Sequence, residues 1–258
     1  AMQHLLEPAG LAALAETMRH LPLVALDFDG TLAPIAPRPE HVSVPPGIGW
    51  RLARLAQCVP VAIVTGRRIA DLRPRIGAAA AHVEVIGNHG AENADDPAGS
   101  AVHARTLDPL RATLADAAQA LDAAGITVED KDQSIALHYR LARDRAAAAD
   151  LALRLCASAA PAVRAFGGKA VVNAVSAHAP DKSDAVHALA RRHGATHVIF
   201  AGDDVNDEPV FAGAPPHWLT IRIGRDAPSS RARFCLGAQG EMADLLARML
   251  ALLTASGA

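Results

Sequence analysis

The chain has few cysteines and no excess of positive charge. Its 258 residues include three cysteines, Cys58, Cys156 and Cys235, which lie far apart. An odd number of widely spaced thiols does not form a disulfide framework and lacks zinc-site spacing, so we expect a reducing compartment. The formal net charge is -2. Without a basic excess, we expect no nucleic acid as a main partner.

Long apolar runs are also missing. Arg, Asp or Pro interrupts every candidate before it reaches the roughly 18 apolar residues that a membrane helix needs. The stretch 5–18 is amphipathic and carries Glu7 and Glu16, unlike the apolar segment of a signal peptide. We therefore expect a cytoplasmic protein without membrane contact, and we expect a monomer.

Apolar residues make up 51% of the chain, which is enough for a sizeable core. Short apolar runs alternate with segments of helical spacing in the first and last parts of the chain. This alternation predicts an α/β fold with a parallel sheet covered on both faces. The predicted strands are 23–28, 59–64, 83–86, 197–201 and 218–223, and the predicted helices are 8–20, 47–57, 69–76, 184–193 and 241–253.

The middle of the chain follows a different pattern. A long Ala-rich helix is expected at 107–124 and another helix at 143–159. Between and after them, near-alternating segments are typical of a half-exposed sheet. These predicted strands are 126–129, 134–140, 163–166 and 170–175. The pattern predicts an inserted α+β unit with an antiparallel sheet.

Four predicted core strands end in polar clusters, and ligands of open parallel sheets bind beyond the carboxyl ends of the strands. Strand interiors disfavour Asp, and two carboxylates this close repel each other unless a cation lies between them. The clusters are Asp27-Phe28-Asp29-Gly30-Thr31, Thr65-Gly66-Arg67, Gly87-Asn88-His89 and Gly202-Asp203-Asp204.

The groups in these clusters suit phosphoryl transfer. Carboxylates form a hard oxygen site for Mg²⁺, and the candidate ligands are Asp27, Asp29, Asp203, Asp204 and Asp207. Asp27 is the candidate nucleophile, forming an aspartyl-phosphate, and Asp29 is the candidate acid and base. Thr65 and the amide of Gly66 are expected to bind phosphate oxygens. Lys182, at the start of a predicted helix, is expected to supply positive charge.

Over residues 23–211, the chain resembles the haloacid-dehalogenase-like (HAD) phosphatase superfamily. The resemblance rests on four motifs in this order: DFDGT, an apolar strand ending in TGR, a lysine before a helix, and GDDVND. Within that superfamily, three segments are similar to trehalose-6-phosphate phosphatases: GNHG at 87–90, E-x-K with ALHYR at 129–140, and GDDVNDEPVF at 202–211. The resemblance implies Mg²⁺-dependent hydrolysis of trehalose 6-phosphate. It also places Arg67, Asn88 and His89 near the phosphate and sugar, and Glu129 and Lys131 on the sugar.

The expected fold is α/β, with a Rossmann-like HAD core of residues 1–104 and 177–258. The resemblance implies that residues 105–176, hereafter the cap, form a smaller inserted α+β domain that closes over the sugar and sets substrate specificity. A small-molecule sugar phosphate is the expected partner.

The chain departs from the family pattern at two places. The family has a glutamate in the last cap strand, where this chain has Asn173 or Ala174, and a glycine after the lysine, where it has Ser183. Asn173 is expected to hydrogen-bond a sugar hydroxyl as a neutral group. A related glycosyl phosphate, such as sucrose phosphate or glucosylglycerol phosphate, therefore stays open as substrate. A non-catalytic sugar-phosphate sensor is a further alternative.

Several of these residues also have purely structural explanations. Arg67 could form a surface ion pair, and His89 could cap a turn. Glu129 and Lys131 lie in the charged run EDKD, which is typical of a solvated loop. Lys182 could be an ordinary first-turn residue beside a helix cap.

Overall fold

The computed structural model describes residues 2–225 and 227–257, so the predicted core positions 1, 226 and 258 lie outside it. The strands are β1 (Gln3–His4), β2 (Leu23–Leu26), β3 (Val61–Val64), β4 (Glu84–Gly87), β5 (Glu92–Asn93), β6 (Thr127–Asp130), β7 (Ile135–His138), β8 (Val163–Gly168), β9 (Val171–Ser176), β10 (Val198–Gly202), β11 (Leu219–Ile223) and β12 (Phe234–Leu236). The helices are α1 (Pro8–Met18), α2 (Pro46–Leu55), α3 (Ile69–Ile76), α4 (Pro97–Thr106), α5 (Asp108–Asp116), α6 (Ala118–Ala123), α7 (Arg145–Ala157), α8 (Lys182–Arg192), α9 (Glu208–Gly213) and α10 (Met242–Ala255).

The larger sheet has the strand order β1-β12-β11-β10-β2-β3-β4-β5. Its neighbouring strands are parallel, except that β5 runs antiparallel to β4. The strands β10, β2, β3 and β4 are therefore neighbours with their carboxyl ends at one edge. This arrangement confirms the predicted Rossmann-like sheet and explains why the four polar clusters converge.

Helices cover both faces of this sheet, and β2 shows how its residues alternate between them. Leu23 and Ala25 belong to the apolar layer under α8 and α9. Val24 and Leu26 belong to the opposite layer, with α2 and α10. Burying a leucine side chain contributes about 2 kcal/mol, so packing on two faces holds β2 firmly. The end of β2 therefore has a fixed position, and so does the start of the polar segment that follows it.

The cap contains the second sheet, with the antiparallel order β6-β7-β9-β8. Its residues alternate as predicted for a half-exposed sheet. Leu137 and Val172 pack with α5, α6 and α7 in the cap's own core. The neighbouring positions Glu129, Ala136 and Asn173 pair across the strands in one row, and Glu129 and Asn173 line a cleft between the two sheets.

The structure differs from the predicted elements in a few places. The expected helix 107–124 is two helices, α5 and α6, separated at Ala117, where the backbone has φ −93° and ψ 10°. No helix breaker marks that position in the sequence. The helix α4 was not predicted, although Asp96 caps it by accepting a hydrogen bond from the Gly99 amide and Pro97 begins it. The short elements β1, β5, β12 and α9 were also missed, because two to six residues carry too little periodicity.

Among residues 2–225 and 227–257, no helix is both long and apolar enough to cross a bilayer. The division into a core of 1–104 and 177–258 and a cap of 105–176 stays a prediction. The end of β9 at Ser176 is compatible with that boundary.

Candidate active site

A buried lysine lies between two buried carboxylates at the shared edge of the sheet. Lys182 begins α8, where Asp181 and Asp184 form a capping box that fixes the first turn. Its Nζ donates to Asp27 Oδ1 at 3.0 Å and to Asp207 Oδ1 at 2.8 Å. Lys182 is only 3% exposed, and Asp207 is fully buried. The helix cap therefore aims this ammonium group at the end of β2.

The charges of this cluster shift its ionisation. Burial disfavours the charge of Lys182, but the carboxylates of Asp207 and Asp27 outweigh burial and raise its pKa above the usual range. Burial, followed by the charge of Asp207, raises the pKa of Asp27 well above its usual value, although Lys182 acts in the opposite direction. Lys182 thus stays charged, and the Asp27 carboxylate favours further positive charge nearby.

The same cluster fits a divalent cation. Asp27, Asp203 and Asp207 each offer a carboxylate oxygen, and these atoms lie within 4.8 Å of one another. All three residues are buried. A hard cation such as Mg²⁺ prefers oxygen ligands of this kind, and it would offset the repulsion that raises the pKa of Asp27. The donor set therefore fits Mg²⁺.

Two other predicted metal ligands lie outside this set. Asp29 forms a bidentate ion pair with Arg67, with 2.8 Å contacts to Nε and Nη2. The carboxylate of Asp204 accepts a hydrogen bond from the Val205 amide at 2.7 Å and caps a short 3₁₀ turn. The sequence could not show which carboxylates belong to the metal site and which form other contacts. All five follow strand ends, and the direction in which each side chain points depends on the local turn.

Gly30 makes room for Asp203. It has φ +78°, and a Cβ atom at this position would lie 2.0 Å from Asp203 Oδ2. Both the backbone conformation and the close approach exclude a side chain here. The glycine of DFDGT therefore lets the turn after β2 pass directly against the carboxylate of a neighbouring strand end.

The residues of the second cluster lie beside this centre. Thr65 is buried, and its hydroxyl accepts a hydrogen bond from the Arg67 amide at 3.1 Å. Gly66 and Arg67 line the cleft. Besides Asp29, Arg67 binds Asp71 at 2.7 Å and the Pro39 carbonyl at 3.0 Å. Burial opposes the charge of Arg67, but Asp29 raises its pKa above the usual range.

The third cluster divides into two environments. Asn88 is fully buried and does not line the cleft. Its amide nitrogen donates to Glu92 and to Gln133 of the cap, and its oxygen accepts from Ser134 of the cap at 2.6 Å. The structure thus places Asn88 in the contact between core and cap, and its expected position near the phosphate and sugar stays a prediction. Asn88 has a positive φ, and the direction of a side chain in such a turn cannot be predicted from the sequence.

His89 does line the cleft. It is 6% exposed, and neither ring nitrogen has a hydrogen-bond partner among the residues that the structure describes. Burial, with the positive charges of Lys131 and Lys182, lowers the pKa of His89 well below its usual value. The imidazole is therefore a neutral, unpaired polar group beside Lys182.

The cap supplies three predicted residues to the cleft. Lys131 Nζ donates to the Gly66 carbonyl at 3.0 Å. Glu129 is bonded to His138 at 2.9 Å, and this contact is the main cause of the lowered pKa of Glu129. Asn173 is 3% exposed and lines the cleft. The structure therefore brings Glu129, Lys131 and Asn173 opposite the core's strand ends.

Sequence reasoning missed Lys169, in the turn between β8 and β9. Its Nζ binds Asp203 Oδ2 at 2.8 Å, although the side chain is 57% exposed. The flanking GGKA sequence indicates a turn, but nothing in it indicates a partner across the cleft. Asn206 was also missed, and its Oδ1 lies 3.4 Å from Lys182 Nζ. The cleft enclosed by these groups has a volume of about 500 Å³.

Comparison with known proteins agrees with this geometry. The family model described as Trehalose-phosphatase matches residues 25–229, which include both sides of the cleft. The chain belongs to the trehalose-phosphatase family. This membership confirms the resemblance seen in the motifs.

Relatives of the trehalose-phosphatase family differ in length. A probable trehalose-phosphate phosphatase of Sinorhizobium fredii is 35% identical over 80% of this chain and 79% of its own length. An uncharacterized glycosyl hydrolase of Mycobacterium tuberculosis is 35% identical over 74% of this chain, but that region is only 15% of the relative. The trehalose-phosphate phosphatase of Mycobacterium avium is 32% identical over 84% of this chain and 58% of its length. The chain thus spans only part of several relatives it matches.

The fold of this family is also found in solved structures. The C-terminal domain of trehalose-6-phosphate phosphatase from C. albicans matches 98% of this chain and 98% of that domain, with a TM-score of 0.78 and 16% identity. A haloacid dehalogenase-like hydrolase from Bacteroides thetaiotaomicron matches 88% of this chain and 99% of that one, with a TM-score of 0.64 and 14% identity. These matches confirm the predicted HAD fold with a cap.

Proposed function

We propose that the protein is a Mg²⁺-dependent phosphatase that hydrolyses trehalose 6-phosphate to trehalose and phosphate through an aspartyl-phosphate on Asp27. The observation that carries this proposal is the buried Asp27–Lys182–Asp207 cluster, beside Asp203 and beneath a cap. Its setting in a chain of the trehalose-phosphatase family supports the reaction class.

The first step forms a bond between Asp27 and phosphorus. An oxygen of Asp27 attacks, the bond from phosphorus to the sugar oxygen breaks, and Asp29 gives that oxygen a proton. Lys182, which already binds Asp27 at 3.0 Å, keeps positive charge beside the transferring group. When bound by Asp27, Asp203 and Asp207, Mg²⁺ would neutralise charge on the phosphoryl oxygens.

The second step reverses the role of Asp29. It takes a proton from water, the water oxygen attacks phosphorus, and the bond to Asp27 breaks to release inorganic phosphate. Arg67 engages both oxygens of Asp29 in the structure, so one of these two contacts has to break before Asp29 exchanges a proton with the sugar oxygen or with water. Thr65 and the Gly66 amide are the proposed phosphate-binding groups on the adjacent strand end.

The cap would recognise the sugar. Glu129, Lys131 and Asn173 of the cap, together with His89 of the core, present charged and neutral hydrogen-bonding groups to the cleft, as a polyhydroxyl substrate requires. Asn173 or Ala174 stands where the family has a glutamate, and of the two only Asn173 lines the cleft. Its neutral amide favours a second candidate, a phosphatase of a related glycosyl phosphate such as sucrose phosphate or glucosylglycerol phosphate.

Phosphate release from a panel of sugar phosphates tests the proposal. We expect Mg²⁺-dependent release with clear preference for trehalose 6-phosphate over sucrose 6-phosphate, glucose 6-phosphate and glucosylglycerol phosphate. Preference for another sugar phosphate of the panel would support the same phosphatase chemistry but assign a different substrate. Sugar-phosphate binding without any release identifies a sensor instead. A cytoplasmic location, a monomeric state and the absence of nucleic-acid and membrane partners stay predictions.

A further inference from the structure

A second, smaller cavity adjoins the cleft on the far side of Lys182. This side pocket has a volume of about 130 Å³ and is lined by residues that include His89, Arg164, Gly167, Lys182, Val205 and Asn206. Three of them, His89, Lys182 and Asn206, also line the cleft. These three residues therefore form a shared wall between the side pocket and the part of the cleft where the phosphoryl group would be held.

The side pocket carries positive charge without a partner. Arg164 forms no ion pair or side-chain hydrogen bond with any residue in 2–225 or 227–257. Its guanidinium carbon lies 5.5 Å from the centre of the Phe166 ring, a cation–π contact that holds it in place. One carboxylate, that of Asp181, also lines the side pocket, and it caps α8 by accepting a hydrogen bond from the Asp184 amide at 2.8 Å.

The wall between the two cavities holds an unpaired polar group. His89 is 94% buried, and both ring nitrogens lack a partner among the described residues. Its ring lies edge-on to Phe166, with 4.9 Å between ring centres. Unpaired buried nitrogens are costly, so a polar ligand that passes His89 gains a hydrogen bond there.

The size of the side pocket selects among the products of the reaction. A phosphate ion occupies roughly 60–90 Å³, the space of two or three waters, whereas a disaccharide has roughly four times as many heavy atoms. On the opposite side, the cleft is crossed by Lys131 on the Gly66 carbonyl and by Lys169 on Asp203. The two products would thus have separate routes.

We propose that the side pocket is the exit route of inorganic phosphate and that Arg164 binds the anion on its way out. This inference rests on the proposed function. Phosphate released at Asp27 passes Lys182 and His89, pairs with the Arg164 guanidinium and then enters solvent, while the cap still covers the sugar. Arg164 is suited to this, because its planar fork matches phosphate oxygens.

Two variants test the route. R164M removes the charge. G167L adds bulk at Gly167, another residue that lines the pocket, where an added Cβ would meet nothing within 4 Å. R140M is the matched control, since Arg140 is an exposed cap arginine outside the side pocket. In rapid mixing with trehalose 6-phosphate and Mg²⁺, total phosphate is measured after acid quench, and free phosphate is followed with a fluorescent phosphate sensor.

We expect free phosphate to lag behind total phosphate about tenfold longer in R164M and G167L than in wild type and R140M. Isothermal titration with inorganic phosphate alone should show about tenfold weaker binding to R164M, partly restored in R164K. If free and total phosphate stay together in both variants, the exit route is wrong. If R164M binds phosphate like wild type, Arg164 is not the binding group.

These measurements separate the inference from the proposed function. If the wild-type protein releases phosphate from none of the sugar phosphates, the proposed function fails. The titration with inorganic phosphate needs no turnover, and equal binding to wild type and R164M would then overturn the side pocket independently.

Discussion

At the scale of single residues, the position of Lys182 determines what Asp27 can do. The ammonium group keeps one Asp27 oxygen engaged at 3.0 Å, while burial and Asp207 raise the pKa of the carboxyl. The Asp27 oxygen is therefore held in one orientation, and additional positive charge nearby would stabilise its ionised form. Both properties suit a nucleophile that attacks a metal-bound phosphate ester.

Asp27→Asn removes the proposed nucleophile but keeps the shape of the side chain. We expect phosphate release from trehalose 6-phosphate to fall at least about a thousandfold. The thermal midpoint without Mg²⁺ should stay the same or rise, because the neutral amide ends the repulsion with Asp207. Asp204→Asn is the matched control, since Asp204 caps a turn next to the cluster, and it should keep activity within about tenfold. An active Asp27→Asn protein would contradict the mechanism.

His89 gives a pH-dependent contribution to stability. Burial, with Lys131 and Lys182, holds its pKa well below the usual value when the chain is folded. In the unfolded chain, His89 takes up a proton as the pH falls below about 6.5. The unfolded state then binds more protons, so the free energy of unfolding falls with falling pH, by at most about 1.4 kcal/mol per pH unit from this group.

Urea unfolding between pH 5 and pH 8 checks this contribution. His89→Asn is a suitable variant, because His89 has φ +60° and asparagine tolerates that conformation. We expect the variant to lose part of the pH slope below about 6.5. An identical slope in both proteins would show that His89 takes up its proton equally readily in the folded and the unfolded chain, which contradicts the lowered pKa.

At the scale of elements, the turn after β2 depends on its glycine. A Cβ at Gly30 would lie 2.0 Å from Asp203 Oδ2, whereas Gly77 has a similar φ of +71° with nothing within 4 Å. Gly30→Ala should lower phosphate release at least about a hundredfold, since displacing a ligand by an ångström has effects of this size. Gly77→Ala should lower the stability, because its φ of +71° and ψ of −132° suit glycine alone, but it should leave activity unchanged. Equal activities in steady-state assays of the two variants would contradict this account of Gly30.

The turn between β8 and β9 brings a cation to the same carboxylate. Lys169 binds Asp203 at 2.8 Å and so would compete with the proposed Mg²⁺ for that oxygen. Because the lysine is exposed, its pair is worth at most about 1 kcal/mol. Lys169→Met should therefore tighten Mg²⁺ binding in calorimetry, by up to about fivefold. Lys131→Met, which removes a contact to a carbonyl, should change it less, and weaker Mg²⁺ binding to Lys169→Met would contradict competition.

The sequence predicts elements best where the physical pattern is strong. The strands β2, β3, β4 and β10 are short apolar runs followed by polar residues, and both the parallel sheet and the convergence of its ends follow from that pattern. The helix α4 was missed although Asp96 and Pro97 mark its start. The break between α5 and α6 has no marker, because alanine fits a helix on both sides.

At the scale of the whole molecule, the site depends on how the cap lies on the core. Asn88 illustrates this dependence, because its side chain bonds Gln133 and Ser134 of the cap and not the cleft. The contact of Lys169 with Asp203 likewise joins residues 34 positions apart, one in a turn of the cap sheet and one directly after a strand of the core sheet. Such pairings follow from the placement of two sheets, which no local pattern encodes. The carboxylates, by contrast, follow strand ends and could be predicted.

The central claim is that Asp27 becomes phosphorylated by a sugar phosphate. The most direct measurement mixes the Mg²⁺-loaded protein with trehalose 6-phosphate labelled in its phosphate, quenches within the first turnover, traps acyl-phosphates with borohydride and maps the modified residue by peptide mass spectrometry. The account predicts modification at Asp27 in wild type and none in Asp27→Asn. Turnover without any trapped aspartate, or modification at another residue, would contradict it.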